Sequence, residues 1–398
     1  MSTPYLQLLR TQGGWQFSIA GFFARLPLAM GGFALLLLMV DITDSYFVAG
    51  AVDATWILVG AGTAPVIALL IDRFGQSRVI GPQITINVIA VTAILIFSAV
   101  DAPLWAFFLA AAVAGAALPV IGSIVRSRWT YLLGSSELLR TAFSWESVVD
   151  EFVFIVGPPL AAFTAATFGS AAAVGLTAAL GASGTYALIL QRSTEPPART
   201  EGGHRGRLAI FYAGMPEILV VMAALGLLFA GIEVTVVATA RETGNIPAAG
   251  IVLAIWSVSS MVTGFVLGGL RRSPPLYKQL LVGCVLLAAM LVPLLASQNL
   301  LTTAVILFFA GAAVSPTLIA GFTFVERLVP PARLTEALTW ASTALAVGFA
   351  LGSPSSGWLV DHVGLSAGYW VGVISAILAC AAAIAGRNVL TELSKPSD

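Results

Sequence analysis

Residues 142–169 read AFSWESVVDEFVFIVGPPLAAFTAATFG, and residues 337–364 read ALTWASTALAVGFALGSPSSGWLVDHVG. Laid over one another without a gap, they pair Trp145 with Trp340, Ser147 with Ser342, and Phe154 with Phe349. The same register pairs Gly157 with Gly352, Pro159 with Pro354, and Gly169 with Gly364. Alanine matches arise easily in a chain like this one, but a shared Trp–Gly–Pro spacing does not. A long apolar stretch repeated half a chain away points to two similar halves. Each copy is long enough to cross a bilayer as a helix. The first copy, however, carries Glu146, Asp150 and Glu151, which lie over Ala341, Leu345 and Ala346 in the second. The scaffold repeats and the charges do not, so the carboxylates are not needed to build this type of helix.

Composition sets the medium. Of 398 residues, 58% are hydrophobic and only 10% are charged, whereas a soluble domain carries about 25% charged residues. So few charges cannot cover a water-facing surface, and the chain is expected to be a multi-span protein of the lipid bilayer. The formal net charge is zero, which gives no pull toward nucleic acid. Cys284 and Cys380 sit in apolar runs and read as small apolar residues rather than a disulfide framework. The first apolar run is longer than a signal-peptide core and lacks a clear small-residue cleavage site, so it is expected to be the first span.

Counting apolar runs of about 20 residues gives twelve spans. They fall at 16–40, 48–71, 79–100, 103–125, 140–167, 170–190, 212–240, 248–270, 278–296, 300–325, 334–360 and 365–386. Seventeen of the 19 basic residues fall at the termini and in the loops after even-numbered spans. They include Arg10, Arg73, Arg78, Arg140, Arg199, Arg205, Arg207, Arg271, Arg272 and Lys395. The positive-inside rule then puts both termini in the cytoplasm. The expected fold is all-α, with twelve transmembrane helices in two pseudo-symmetric six-helix bundles at 1–191 and 212–398. A charged, Pro/Gly-containing cytoplasmic linker at 192–211 joins them. Pro27, Pro65, Pro119, Pro293 and Pro316 fall mid-span and mark kinks or breaks.

Six plus six spans, a central loop and the segment ALLIDRFGQSR at 68–78 together resemble the major facilitator superfamily. The family's loop pattern between spans 2 and 3 is met by Asp72, Arg73, Gly75 and Arg78, with Ala68 in place of its leading glycine. The resemblance implies a cytoplasmic gate at these residues. Gly157, Pro158 and Pro159 resemble the helix-bend motif of proton-driven exporters, though Val153, Ala161 and Ala162 stand where that motif has glycines. Arg25-Leu26-Pro27 and Arg126-Ser127-Arg128-Trp129 are similar to stretches in uncharacterised efflux-type actinobacterial members.

In that family, spans 1 and 5 are neighbours. Asp150 lies nine residues beyond Thr141, roughly 13 Å into the helix, and Arg25 lies at a similar depth in span 1. The expectation is a buried pair or network of Arg25 with Asp150 and Glu151, which the shallower Glu146 either joins or leaves in order to gate or cap near the cytoplasm. Two readings stand side by side. The network fixes span 1 on span 5, or its excess acid binds and releases a proton, with Asp150 first and Glu151 second. The family's cavity is lined by spans 1, 4, 7 and 10. This implies a substrate cavity touching Glu233, Phe22, Phe229 and Phe322. Glu233 would face a cationic group or a second proton, or else pair with Arg241.

Arg126 and Arg128 read as interfacial anchors beside Trp129, and Asp41, Asp44 and Asp53 as solvated. Asp361 in GWLVDHVG fits the loop template but falls at an outer turn, where it is expected to face water. His204 and His362 have no partner at metal-ligand spacing, and no nucleotide-binding loop is present, so neither metal nor cofactor is expected. The resemblance implies a monomeric secondary transporter in the cytoplasmic membrane. It would export a small organic molecule in exchange for protons by alternating access. Uptake of a sugar or other metabolite, by symport or facilitated diffusion, is the alternative. A membrane enzyme or receptor belongs to a different class, against which the internal repeat argues.

Overall fold

A computed structural model describes residues 7–8, 11–134, 137–198, 209–268, 275–297, 299–330 and 333–392. Arg10, Arg199, His204, Arg205, Arg207, Arg271, Arg272 and Lys395 lie outside them, as does half of the expected linker, 199–208. The helices are α1 (Gly14–Thr43), α2 (Tyr46–Phe74), α3 (Gln76–Ala99), α4 (Leu104–Ala116), α5 (Ile121–Leu133), α6 (Glu137–Phe168) and α7 (Ser170–Leu190). They continue with α8 (Met215–Glu242), α9 (Ile246–Gly268), α10 (Leu276–Leu291), α11 (Leu300–Leu328), α12 (Leu334–His362), α13 (Tyr369–Ala385) and α14 (Arg387–Glu392). Two compact units result. One holds residues 1–38 and 59–202, and the other holds 39–58 and 203–398. The turn between α1 and α2, with the first half of α2, therefore belongs to the second unit.

Among the described residues, eleven helical stretches are long and apolar enough to cross a membrane, with α4 and α5 counting as one, Leu104–Leu133. The expected eleventh span, α12, is a 29-residue helix that is not among them. Ser353, Ser355, Ser356 and Asp361 dilute its apolar character. It is nonetheless well housed. The Ser356 hydroxyl donates to the Gly231 carbonyl at 3.1 Å and to the Gly368 carbonyl at 3.2 Å. α12 lies along α8 with almost no gap. A Cβ at Gly348 would run into the Ala223 carbonyl, and one at Gly226 into the Leu345 carbonyl. A Cβ at Gly352 would sit 2.6 Å from the Leu227 carbonyl oxygen. In the first unit the equivalent glycine does the same work, since a Cβ at Gly157 would lie 2.8 Å from Ala29 Cβ of α1. Small residues let backbones meet, and in lipid that contact is a main source of helix attachment.

Prolines behave according to their surroundings. Pro27, Pro65 and Pro316 stay inside continuous helices. Pro293 lies in the 3₁₀ turn Val292–Ala296 that ends α10. Pro119 accompanies a full break between α4 and α5. A break frees carbonyls that water cannot reach in hydrocarbon, so side chains must take them up. Asn87 Nδ2 donates to Ala114 O at 2.8 Å, Gln83 Nε2 to Leu118 O at 3.3 Å, and Thr63 Oγ1 to Ala116 O at 3.4 Å.

These approaches give a direct check. Gly348→Leu overpacks the α8–α12 contact and is expected to cost about 3 kcal/mol or more, seen as lost monodisperse protein or a lower melting temperature in detergent. Gly62→Ala, where a Cβ meets nothing within 4 Å, is expected to leave the melting temperature unchanged.

Candidate functional site

The first unit gathers its embedded charges where α1, α5 and α6 meet. Four residues separate Glu146 from Asp150, so both leave α6 on one face. Arg25 enters from α1 with only 3% of its surface exposed. Its Nη1 lies 2.6 Å from Glu146 Oε2, and its Nε lies 3.2 Å from Asp150 Oδ1. Asp150 Oδ2 then meets Arg126 Nη2 of α5 at 2.7 Å. Glu146 is fully buried and acts as the hub. Its Oε1 accepts the Trp129 indole N–H at 2.8 Å and the Ser18 hydroxyl at 3.4 Å. Trp145 donates to Ser18 at 3.3 Å, and the edge of Phe17 packs on Trp129 with ring centroids 4.5 Å apart. Phe22 is half-buried beside Phe152, with centroids 5.8 Å apart.

Two arginines and two carboxylates balance. The sequence reading expected one arginine against three acids; Arg126 supplies the second positive charge. Glu151 stands outside the quartet. It points about 100° round the helix from Asp150, is half-buried, and forms no ion pair within 4 Å among the described residues.

The expectation that Arg126 and Arg128 anchor an interface is overturned. The helix runs on to Leu133, which places both residues within the fold. Arg128 has no exposed surface. Its Nε donates to Gln76 Oε1 at 2.8 Å, and its Nη1 donates to Gln191 O at 3.0 Å and to Thr194 Oγ1 at 2.8 Å. Trp129 is equally buried. Nearby, Glu195 accepts the Ser77 N–H at 2.9 Å and the Ser77 hydroxyl. Gly75 takes φ 90° at the turn into α3, a backbone shape suited to glycine. Asp72, Arg73 and Arg78 are exposed, and the Arg73 guanidinium sits 5.2 Å over the Phe74 ring. The residues that hold this loop, Arg128 and Glu195, were not singled out for it. Both carried a signal in principle, as charges next to an apolar span.

In the second unit, Glu233 is half-buried on α8 and forms no ion pair within 4 Å among the described residues. Arg241 pairs with Asp41 instead. One turn before Glu233, Phe229 packs against Trp256 with centroids 5.5 Å apart. Phe322 is half-buried on α11. Asp53, expected in water, is only 3% exposed. It lies beside Ser353 of α12, itself 1% exposed, and within electrostatic reach of Glu233.

The α1–α6 ion pair can be weighed by substitution. Arg25→Leu strands Glu146 in a dry site and is expected to cost about 3–5 kcal/mol, while Arg25→Leu with Glu146→Leu should recover most of that. Arg126→Leu breaks a pair that is one-third exposed, and is expected to cost no more than about 1 kcal/mol. Thermal stability of the three variants in detergent reads the cycle. An Arg25→Leu protein as stable as its parent would show that the pair bears no weight.

The sequence profile described as Major Facilitator Superfamily matches residues 17–307 and 218–396. No curated protein sequence matches the chain. Among solved structures, a mutant of the nucleoside transporter NupG is similar with a TM-score of 0.71 at 16% identity, over 94% of this chain and 98% of that one. An auto-inhibited POT family peptide transporter gives a TM-score of 0.71 at 14% identity, over 96% and 98%. The POT family transporter PepTSo gives 0.66 at 14% identity, over 99% of each chain. At such identities the likeness concerns fold alone, and it agrees with the profile along nearly the whole length. The chain belongs to the Major Facilitator Superfamily, and is a multi-pass membrane transporter of small molecules rather than an enzyme.

Proposed function

We propose that the protein is a proton-coupled exporter of a small organic molecule. It would act as a monomer in the cytoplasmic membrane, with both termini in the cytoplasm. Bundles at 1–191 and 212–398, joined by the linker 192–211, would alternate access to a central cavity. The observation that carries the coupling is Glu151. It sits beside a quartet of Arg25, Glu146, Asp150 and Arg126 whose charges already cancel. A lone half-buried carboxylate is costly when ionised in the membrane, and the neighbouring Asp150 charge adds repulsion. Proton uptake removes both costs, and proton loss restores them. Such a group can be loaded from one side and emptied to the other. The quartet then serves as scaffold, holding Glu151 at fixed depth, with Asp150 as the alternative proton carrier.

Gly157, Pro158 and Pro159 support the direction of export. They resemble the bend motif of exporters, and Gly157 brings α6 hard against α1, so a shift in α6 would be felt by the arginine that organises the quartet. Glu233, Phe22, Phe229 and Phe322 are the proposed lining of the cavity. Asp72, Arg73, Gly75 and Arg78 are the proposed cytoplasmic gate.

The test uses purified protein in proteoliposomes and candidate compounds drawn from a resistance screen in an efflux-deficient host. Substrate-linked proton release is expected in the parent. In Glu151→Gln it should be lost while substrate exchange persists. Release that survives in Glu151→Gln but fails in Asp150→Asn moves the carrier to Asp150. Transport without proton movement in any form overturns coupling and leaves a facilitator.

A further inference from the structure

The C-terminal half of α12 carries a hollow that neither the proposed cavity nor the proposed gate uses. Phe47 of α2 and Leu351, Pro354, Ser355, Trp358 and Leu359 of α12 line an open groove of about 470 Å³, a volume in the range of small-molecule sites. Its origin is the way two backbones meet. A Cβ on Gly357 would collide with the Tyr46 carbonyl, and one on Gly50 would lie 2.6 Å from the Ser353 carbonyl carbon. Where glycines let backbones touch, the bulky neighbours splay instead of interlocking: Phe47, Trp358 and Leu351 stay 43%, 46% and 54% exposed. The Ser355 hydroxyl donates within its own helix, to Leu351 O at 2.6 Å, which leaves the lining apolar. In a bilayer such a groove faces acyl chains.

Polar groups crowd one end of the groove. Asp361 Oδ1 accepts the Tyr46 N–H at 3.0 Å, and its Oδ2 accepts the Phe47 N–H at 2.9 Å and the Ser45 hydroxyl at 2.8 Å. It thereby caps the first turn of α2, whose N–H groups have no partner within the helix. Asp44 and Glu242, both exposed, lie with Asp361 and Arg241 in electrostatic reach of Tyr46. Arg241 pairs with Asp41, and it is the sole arginine or lysine in 39–58, 239–248 and 357–368. Four carboxylates thus stand against one guanidinium, and the rim is anionic. Trp358 stacks on His362 with centroids 4.8 Å apart, an aromatic wall of the sort that settles at headgroup level.

An apolar slot beside an acidic rim selects a ligand with two matching parts. A headgroup whose only charge is a phosphate is repelled there. A primary ammonium is attracted, and its three N–H donors meet carboxylate lone pairs that the start of α2 leaves unused. We propose that this groove is a specific site for a phospholipid with a primary-ammonium headgroup. One acyl chain lies against Leu351, Pro354 and Trp358, and the ammonium reaches Asp44 and Glu242. The site concerns the protein's lipid rather than its cargo, and it stands whether or not transport is coupled to protons.

Purified protein in neutral detergent is titrated with phosphatidylethanolamine, phosphatidylcholine or phosphatidylglycerol of identical acyl chains, and the lipid adducts are counted by native mass spectrometry. Phosphatidylethanolamine is expected to be retained about fivefold more strongly than either of the others, as one solvent-accessible ion pair predicts. Asp44→Asn combined with Glu242→Gln should erase that preference. Asparagine tolerates the φ of 50° at residue 44, so the turn is kept. Leu351→Trp fills the groove from an exposed position and should remove the preferred adduct. Equal retention of the three lipids in the parent overturns the site. So does a preference that survives in either variant. Should Leu351→Trp elute as aggregate, the paired rim substitutions decide alone.

Discussion

In hydrocarbon, helices gain nothing by hiding apolar side chains from one another. What joins two of them is how near their backbones come and which polar groups they share. Much of this fold follows from that constraint. Gly226, Gly348 and Gly352 remove the side chains that would hold α8 and α12 apart. Gly184 does so between α7 and α1, where a Cβ would strike the Ala24 backbone. Hydroxyls and amides fill the remaining role. Ser356 spans α8, α12 and the turn before α13, while Asn87 and Gln83 hold the broken ends of α4 and α5.

The two halves meet this constraint differently at matching positions. Val153 and Glu146 in α6 stand where α12 has Gly348 and Ala341. The second half therefore closes its helix pair by backbone contact, with Ala341 fully buried and Ala223 against Gly348. The first half closes part of the same pair with an ion bridge, Arg25 to Glu146. A bridge of this sort is a weaker source of net stability than close packing, but it carries charge into the membrane, where chemistry needs it. One half is rigid by contact and the other is equipped for charge.

Legibility in the sequence divided along the same line. Local pattern gave the helices: α1, α6, α8 and α11 lie within a few residues of their expected limits, because apolar length alone sets them. The union of α1 and α6 through Arg25 was also within reach, since an embedded arginine must find an acid. Partners far along the chain were not. Arg126 and Arg128 looked like the exit of a span because they are basic, yet their depth is fixed by Asp150, Gln76 and Thr194. Asp53 looks solvated because it stands near a span's start, and the helix beside it, α12 at Ser353, lies some 300 residues later. Asp361 was read as exposed, which it is. That it caps a helix on the far side of the sequence leaves no local trace.

The uneven hydropathy of the helices bears on how the chain is made. α12 is not apolar enough to count as a self-sufficient span, and α1 carries Arg25 into the membrane roughly 120 residues before Glu146 is synthesised. An arginine at mid-membrane costs about 2.5–3.5 kcal/mol on insertion scales; the apolar length of α1 outweighs that, but the charge has no acid partner while α1 stands alone. In the nascent first span the guanidinium reaches for water at the interface by snorkelling, until α6 brings Glu146 to it. α12 meets the opposite situation, because α8 is already in place and offers a groove cut to its glycines. Biogenesis of this protein thus begins with a helix waiting for its partner and nears completion with one that finds its partner ready.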